Sequence, residues 1–105
     1  MRMTADMIEM AARRFALLGD PTRLRILHTV MEGGERSVGA IAATAGVSRF
    51  NASAHLNRLA LAGLMERRRQ GTTVYYRVDD EALPRVCEWM CESLRGRAIA
   101  LAGRF

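Results

Sequence analysis

Residues 47–78, VSRFNASAHLNRLALAGLMERRRQGTTVYYRV, decide the fold. Ser48 is a helix-capping residue, and Ala52, Leu56, Leu59 and Ala60 recur behind it at helical spacing as one buried side. Gly63 stops that helix. The period then changes from 3.6 to two. Leu64 to Arg69 and Thr73 to Val78 alternate as strands, with Val74, Tyr76 and Val78 on one face and Thr73, Tyr75 and Arg77 on the other. Gln70-Gly71 supplies the reversal between them. A polar helix therefore leads directly into an arginine-rich hairpin.

Working upstream, only Gly46-Val47 separates this helix from a shorter one, VGAIAATA, which Ser37 can cap. Two helices joined by a glycine-containing turn form a helix-turn-helix over about residues 37–62, and the hairpin over about 64–78 is its wing. Before that, Asp20 caps PTRLRILHTVME, with Pro21 at the first helical position. Leu24, Leu27, His28 and Met31 share a face there, so His28 reads as a hydrogen-bonded core histidine. The first helix, Thr4 to Leu18, carries an apolar stripe of Ile8, Ala11, Ala12, Phe15 and Leu18 and stops at Gly19.

Downstream of the wing, Asp79, Asp80 and Glu81 stand at the positive end of a last helix, with Pro84 in its first turns. Leu83, Cys87, Met90, Cys91 and Leu94 form its stripe, and the tail RGRAIALAGRF continues the helix or frays. The predicted fold is mainly α with a β-hairpin wing: a winged helix-turn-helix of order α-α-α-α-β-β-α, in a single domain over residues 1–105.

The net charge is +5 and every basic side chain is arginine. A GC-rich genome accounts for the absence of lysine, so the distribution carries more information than the total. Residues 21–78 hold nine arginines against three acids, whereas the flanks are neutral or slightly acidic. A basic middle fits a polyanion-binding surface, with an ordinary solvated face as the alternative. No run is apolar enough to span a bilayer, and Asp6 and Glu9 interrupt any signal-peptide core. Two cysteines without an export signal fit a reducing cytoplasm. No phosphate loop, nucleophile motif or clustered acid/base residues suggest an enzyme.

A major groove admits one helix, and the second helix of a helix-turn-helix presents its N-terminal residues to the bases. Those residues are Ser48, Arg49, Phe50, Asn51 and Ser53. Arg49 suits guanine O6/N7 or a phosphate, Asn51 suits adenine N6/N7, and Ser48 and Ser53 suit phosphates or base edges. Ser48 doubles as the cap. Phe50 reads as core or turn packing ahead of a thymine-methyl contact. His55 reads as a structural or backbone-contacting histidine, and Arg58 as a phosphate contact. The hairpin tip adds Arg67, Arg68, Arg69 and Gln70, suited to the backbone or a minor groove.

With FALLGDPTRLRIL, the VS…S-x-HL…L…AGL pattern and the G-x-x-VYY-x-V hairpin, the chain resembles the ArsR/SmtB family of bacterial repressors from about Phe15 to the last helix. The resemblance implies a homodimer built by the first and last helices (about 4–18 and 80–100). It also implies a double-stranded operator bound as an inverted repeat, and relief by an inducer. A winged-helix interaction module without specific operator binding is the alternative. Of the family's metal sites, a Cys-x-Cys in the third helix is replaced here by Ser37 and Gly39. In the last-helix site only Asp80 matches, with Ala82, Ser93 and Gly96 at the other positions. No metal site and no cofactor is expected.

Cys87 and Cys91 place two thiols on one helical face. They fit a thiol sensor for a thiophilic metal or for oxidants. An i,i+4 disulfide within one helix is geometrically awkward, and a bond between subunits is easier. Simple packing of two small apolar side chains is the competing reading.

Overall fold

The computed structural model describes residues 1–103, with residues 99–102 described by backbone alone. In chain order the elements are α1 (Ala5–Leu18), α2 (Pro21–Gly33), β1 (Arg36–Ser37), α3 (Val38–Ala45), α4 (Arg49–Leu61), β2 (Met65–Gln70), β3 (Thr73–Val78) and α5 (Ala82–Ala102). The tail thus continues α5, and its last two residues lie outside the described ones.

Each helix starts where a side-chain oxygen satisfies an orphan N–H. The Thr4, Ser37 and Ser48 hydroxyls accept from the backbone N–H of Met7, Ala40 and Asn51, at 3.2, 3.2 and 3.1 Å. Asp20 accepts from Arg23 N–H at 2.8 Å ahead of Pro21. That backbone N–H is the main reason the Asp20 carboxyl titrates below its ordinary range. Asp80 accepts from Ala82 N–H at 2.8 Å at the start of α5. Between α3 and α4, Gly46 adopts φ +72°, a left-handed conformation that reverses the chain and that glycine enters without steric cost.

The hairpin is joined by a strand that the sequence reading does not contain. Arg36–Ser37 pairs antiparallel with β3, giving a three-stranded sheet of order β1-β3-β2. A two-residue strand shows no alternation, so pattern reading passes over it. The β2–β3 register sets Arg67 opposite Tyr76, Arg68 opposite Tyr75 and Arg69 opposite Val74.

The core lies between α2, α3, α4 and the sheet, with Ile26, Leu27, Val30, Ile41, Ala52, Leu56, Leu59, Leu64 and Tyr76 buried. This corrects the face expected for α2. Ile26, Leu27 and Val30 take the interior, while Leu24 and His28 are exposed and Met31 is half-buried. His28 is no core histidine: its Nε2 stands 4.0 Å from the Glu32 carboxylate, one helical turn on, with two-thirds of the side chain open to solvent. A central helix carries two overlapping apolar stripes, and the one bearing Ile26, Leu27 and Val30 packs inward.

The outer helices bury little within one chain. No residue of α1 is fully buried, and among the described residues of α5 only Leu83 is fully buried, with Cys87 packed against the core. Arg14 of α1 ties the pair together by donating to Asp80 at 3.0 Å.

Candidate nucleic-acid interface

The first turn of α4, the second helix of the helix-turn-helix, and the wing face each other across an open cleft of 520 Å³. Arg49, Phe50 and Ser53 line it from α4, and Arg67, Thr73 and Tyr76 from the hairpin. The register explains the wing side: Arg67 and Arg69 share the sheet face with buried Met65 and Tyr76, so both lean toward the helix-turn-helix. Four of the residues singled out from the sequence therefore meet at one place.

The others sit around it. Ser48 and Asn51 are exposed at the mouth of α4, with the Ser48 hydroxyl engaged as the cap. Arg58 is exposed in the last turn of α4. Arg69 donates from Nε to the Gly71 carbonyl at 3.1 Å, leaving its charge unmatched. His55 is half-buried on the flank of α4 and lies within electrostatic reach of the Asp20 carboxylate. Phe50, expected to pack into the turn or core, instead stands 82% exposed. Its position in the first turn of α4 carries the side chain away from the buried Ala52–Leu56–Leu59 side.

Arg68 behaves differently from its two neighbours. Its Nη2 and Nε donate to the two Glu35 oxygens at 2.8 and 3.3 Å, and its Nη1 donates to Gln70 Oε1 at 2.9 Å. The guanidinium also lies 4.6 Å from the Tyr75 ring centroid. The bond to Arg68 pulls the Glu35 carboxyl below its ordinary value, and the same bond pushes the Arg68 guanidinium up. Arg77 is likewise paired with Glu66 across the hairpin. Among the described residues, Arg49, Arg67 and Arg69 have no carboxylate partner, so they are the free cations around the cleft. Sequence reading missed Glu35 and Tyr75. Tyr75 was legible as the cross-strand neighbour of Arg68, but Glu35 comes near only through the two-residue strand.

The third-helix metal site of the resembled family does not fit this chain. The Ser37 hydroxyl is spent on the α3 cap, and Gly39 has no donor. The Arg49 guanidinium occupies the space a side chain at Gly39 would need. Among the described residues, no three His, Cys, Asp or Glu side chains converge elsewhere.

On the opposite side, α1, α2 and α5 frame an almost wholly apolar cleft of 640 Å³ lined by Phe15, Leu24, Met31, Cys87, Met90 and Leu94, among others. Cys91 also borders it and is exposed, whereas Cys87 is half-buried. Burial, with a smaller contribution from Cys91, pushes the Cys87 thiol up.

A helix-turn-helix whose second helix shares a basic cleft with a β-wing defines the winged helix-turn-helix class. A helix-turn-helix domain family matches residues 18–68. The chain is 40% identical over 82 residues to the HTH-type transcriptional regulator Rv0324 of Mycobacterium tuberculosis, covering 78% of this chain and 36% of that protein. It therefore spans little more than a third of that relative's length. It is 34% identical to the transcriptional repressor SdpR of Bacillus subtilis, covering 72% of this chain and 83% of the repressor. Among solved structures it is similar to Mb0332 of Mycobacterium bovis, described as a homodimeric winged helix-turn-helix DNA-binding domain and possible ArsR-family regulator. That match has a TM-score of 0.80 at 35% identity, over 90% of this chain and 86% of that one. The chain belongs to the ArsR family of winged helix-turn-helix transcriptional regulators.

Proposed function

We propose that the chain represses transcription by binding an inverted-repeat operator as a homodimer, and that an inducer relieves it. The observation that carries this reading is the shared cleft: the N-terminal turn of α4 and the inner face of the wing present Arg49, Ser53 and Arg67 around one opening. In this reading α4 enters a major groove, with Asn51 reaching a base edge and Arg49, folded against α3, gripping a phosphate. Arg67 and Arg69 hold the flanking backbone, joined by Arg58 and Ser48 at phosphates.

The dimer follows from the faces one chain leaves open. Phe15 on α1 and Trp89, Met90 and Leu94 on α5 are each more than half exposed. Contiguous apolar surface of this kind marks an interface, and a short chain with a thin core gains stability by covering it. A two-fold through α1 and α5 sets two copies of α4 about 34 Å apart, one turn of the duplex. The site of action is the cytoplasm, where the operator is.

For Cys87 we infer packing. Cys87 rests against the core with its thiol pushed up, which keeps it protonated near neutral pH and poorly nucleophilic.

The testing experiment is a gel retardation series on the DNA upstream of the gene, against a scrambled duplex of equal length. It is run with and without thiophilic metals, nickel, zinc and thiol oxidants. Retention of the upstream duplex well above the scrambled one supports the reading. Equal, weak retention of both favours an interaction module instead.

A further inference from the structure

We propose that Phe50 is a specificity-determining residue that reads the C5 methyl group of a thymine in each operator half-site. This rests on the operator reading above and extends it from grip to discrimination.

Phe50 is the second residue of α4, in the turn that a recognition helix presents to the bases. Its ring is 82% exposed, an apolar group on a face otherwise formed by Arg49, Asn51 and Ser53. Arg49 does not shield it, because the Arg49 guanidinium is folded back onto Gly39 of α3. The ring instead borders the cleft opposite Arg67 and Thr73. The other large apolar residue exposed on α4, Leu61, lies at the far end of the helix, three turns away. A phenyl ring can neither donate nor accept the hydrogen bonds that distinguish base edges. Among major-groove edges only thymine offers an apolar group, its methyl. 5-Methylcytosine carries the same group at the same place, and thymine is the source favoured here because it needs no modification of the DNA.

The test uses the full chain and the upstream duplex it retains. Each thymine is replaced in turn by deoxyuridine, which removes the methyl and nothing else. Burying one methyl group corresponds to roughly a fourfold change in affinity. Uracil at the contacted thymine of one half-site is therefore expected to weaken wild-type binding about fourfold, and uracil in both half-sites about fifteenfold. Phe50→Ala is expected to bind the thymine and uracil duplexes equally. The residue is exposed and outside the core, so the variant keeps its fold, which circular dichroism verifies. Replacing each cytosine by 5-methylcytosine is expected to leave wild-type affinity unchanged. A gain there larger than the uracil loss would overturn the thymine assignment. Specific binding that is indifferent to uracil everywhere, or a Phe50→Ala protein that still discriminates, would overturn the role of Phe50 while leaving operator binding intact. A wild-type chain that binds no duplex would overturn both.

Discussion

The three wing arginines look equivalent in sequence, and the structure divides them, which makes the salt dependence of duplex binding a sharp test. Arg67 and Arg69 lean toward the recognition helix with unmatched charge, whereas Arg68 is already held by Glu35. Each phosphate neutralised by a free cation contributes about −0.9 to the slope of log K against log salt. Two free arginines in each of two copies supply about four such contacts, so Arg67→Ala/Arg69→Ala should flatten the slope by about 3.6. Between 50 and 200 mM salt, that removes about two orders of magnitude of salt-induced affinity loss. Arg68→Ala should weaken binding by loosening the wing but shift the slope by well under about 0.9 per copy, since its charge is spent within the chain. Glu35→Gln releases that charge and should steepen the slope by up to about 0.9 per copy. The assay is fluorescence anisotropy of a labelled operator duplex titrated at several salt concentrations. An Arg68→Ala slope that flattens as much per residue as the double variant would refute this division of labour.

Leu56→Ala, in a residue with no exposed surface, should cost about 2–5 kcal/mol in urea unfolding, through lost burial and the cavity left behind. Ser48→Ala should cost about 1 kcal/mol in the same assay by exposing the Asn51 N–H, and should weaken operator binding as well. Phe15→Glu combined with Leu94→Glu should yield a folded monomer in analytical ultracentrifugation that loses operator affinity, because both side chains project from the open apolar cleft. The Glu35 carboxyl is pulled below its ordinary value, so its stabilising bond to Arg68 is complete above that ordinary value and lost as pH falls through the lowered one. The Tyr75 ring resonances should therefore hold steady through neutral pH and shift only in acid. Cys87→Ser/Cys91→Ser should respond to oxidants and metals as wild type does if both thiols serve only as packing.

Local chemistry made the frame readable. Asp20, Ser37 and Ser48 declare helix starts by their hydroxyl or carboxylate, Gly46 declares the turn, and the switch from helical to two-residue spacing after Gly63 declares the wing. What failed was tertiary. Leu24 and His28 share a helical face with Leu27, yet only the neighbours supplied by α3 and α4 decide which stripe of α2 turns inward. The apolar identity of Phe50 suggests burial, while its place in the first turn of α4 carries it outward. The free and spent arginines of RRRQG were indistinguishable, because the difference resides in Glu35, 33 residues from Arg68 along the chain.

The most direct measurement is a hydroxyl-radical footprint of the chain on the upstream duplex at moderate salt. The expected pattern is two protected patches on one face of the DNA, about 34 Å apart and related by a two-fold, each extended on one side by the wing. Protection that is uniform along the duplex, or a single patch with no symmetry mate, would contradict a pair of recognition helices held at fixed separation.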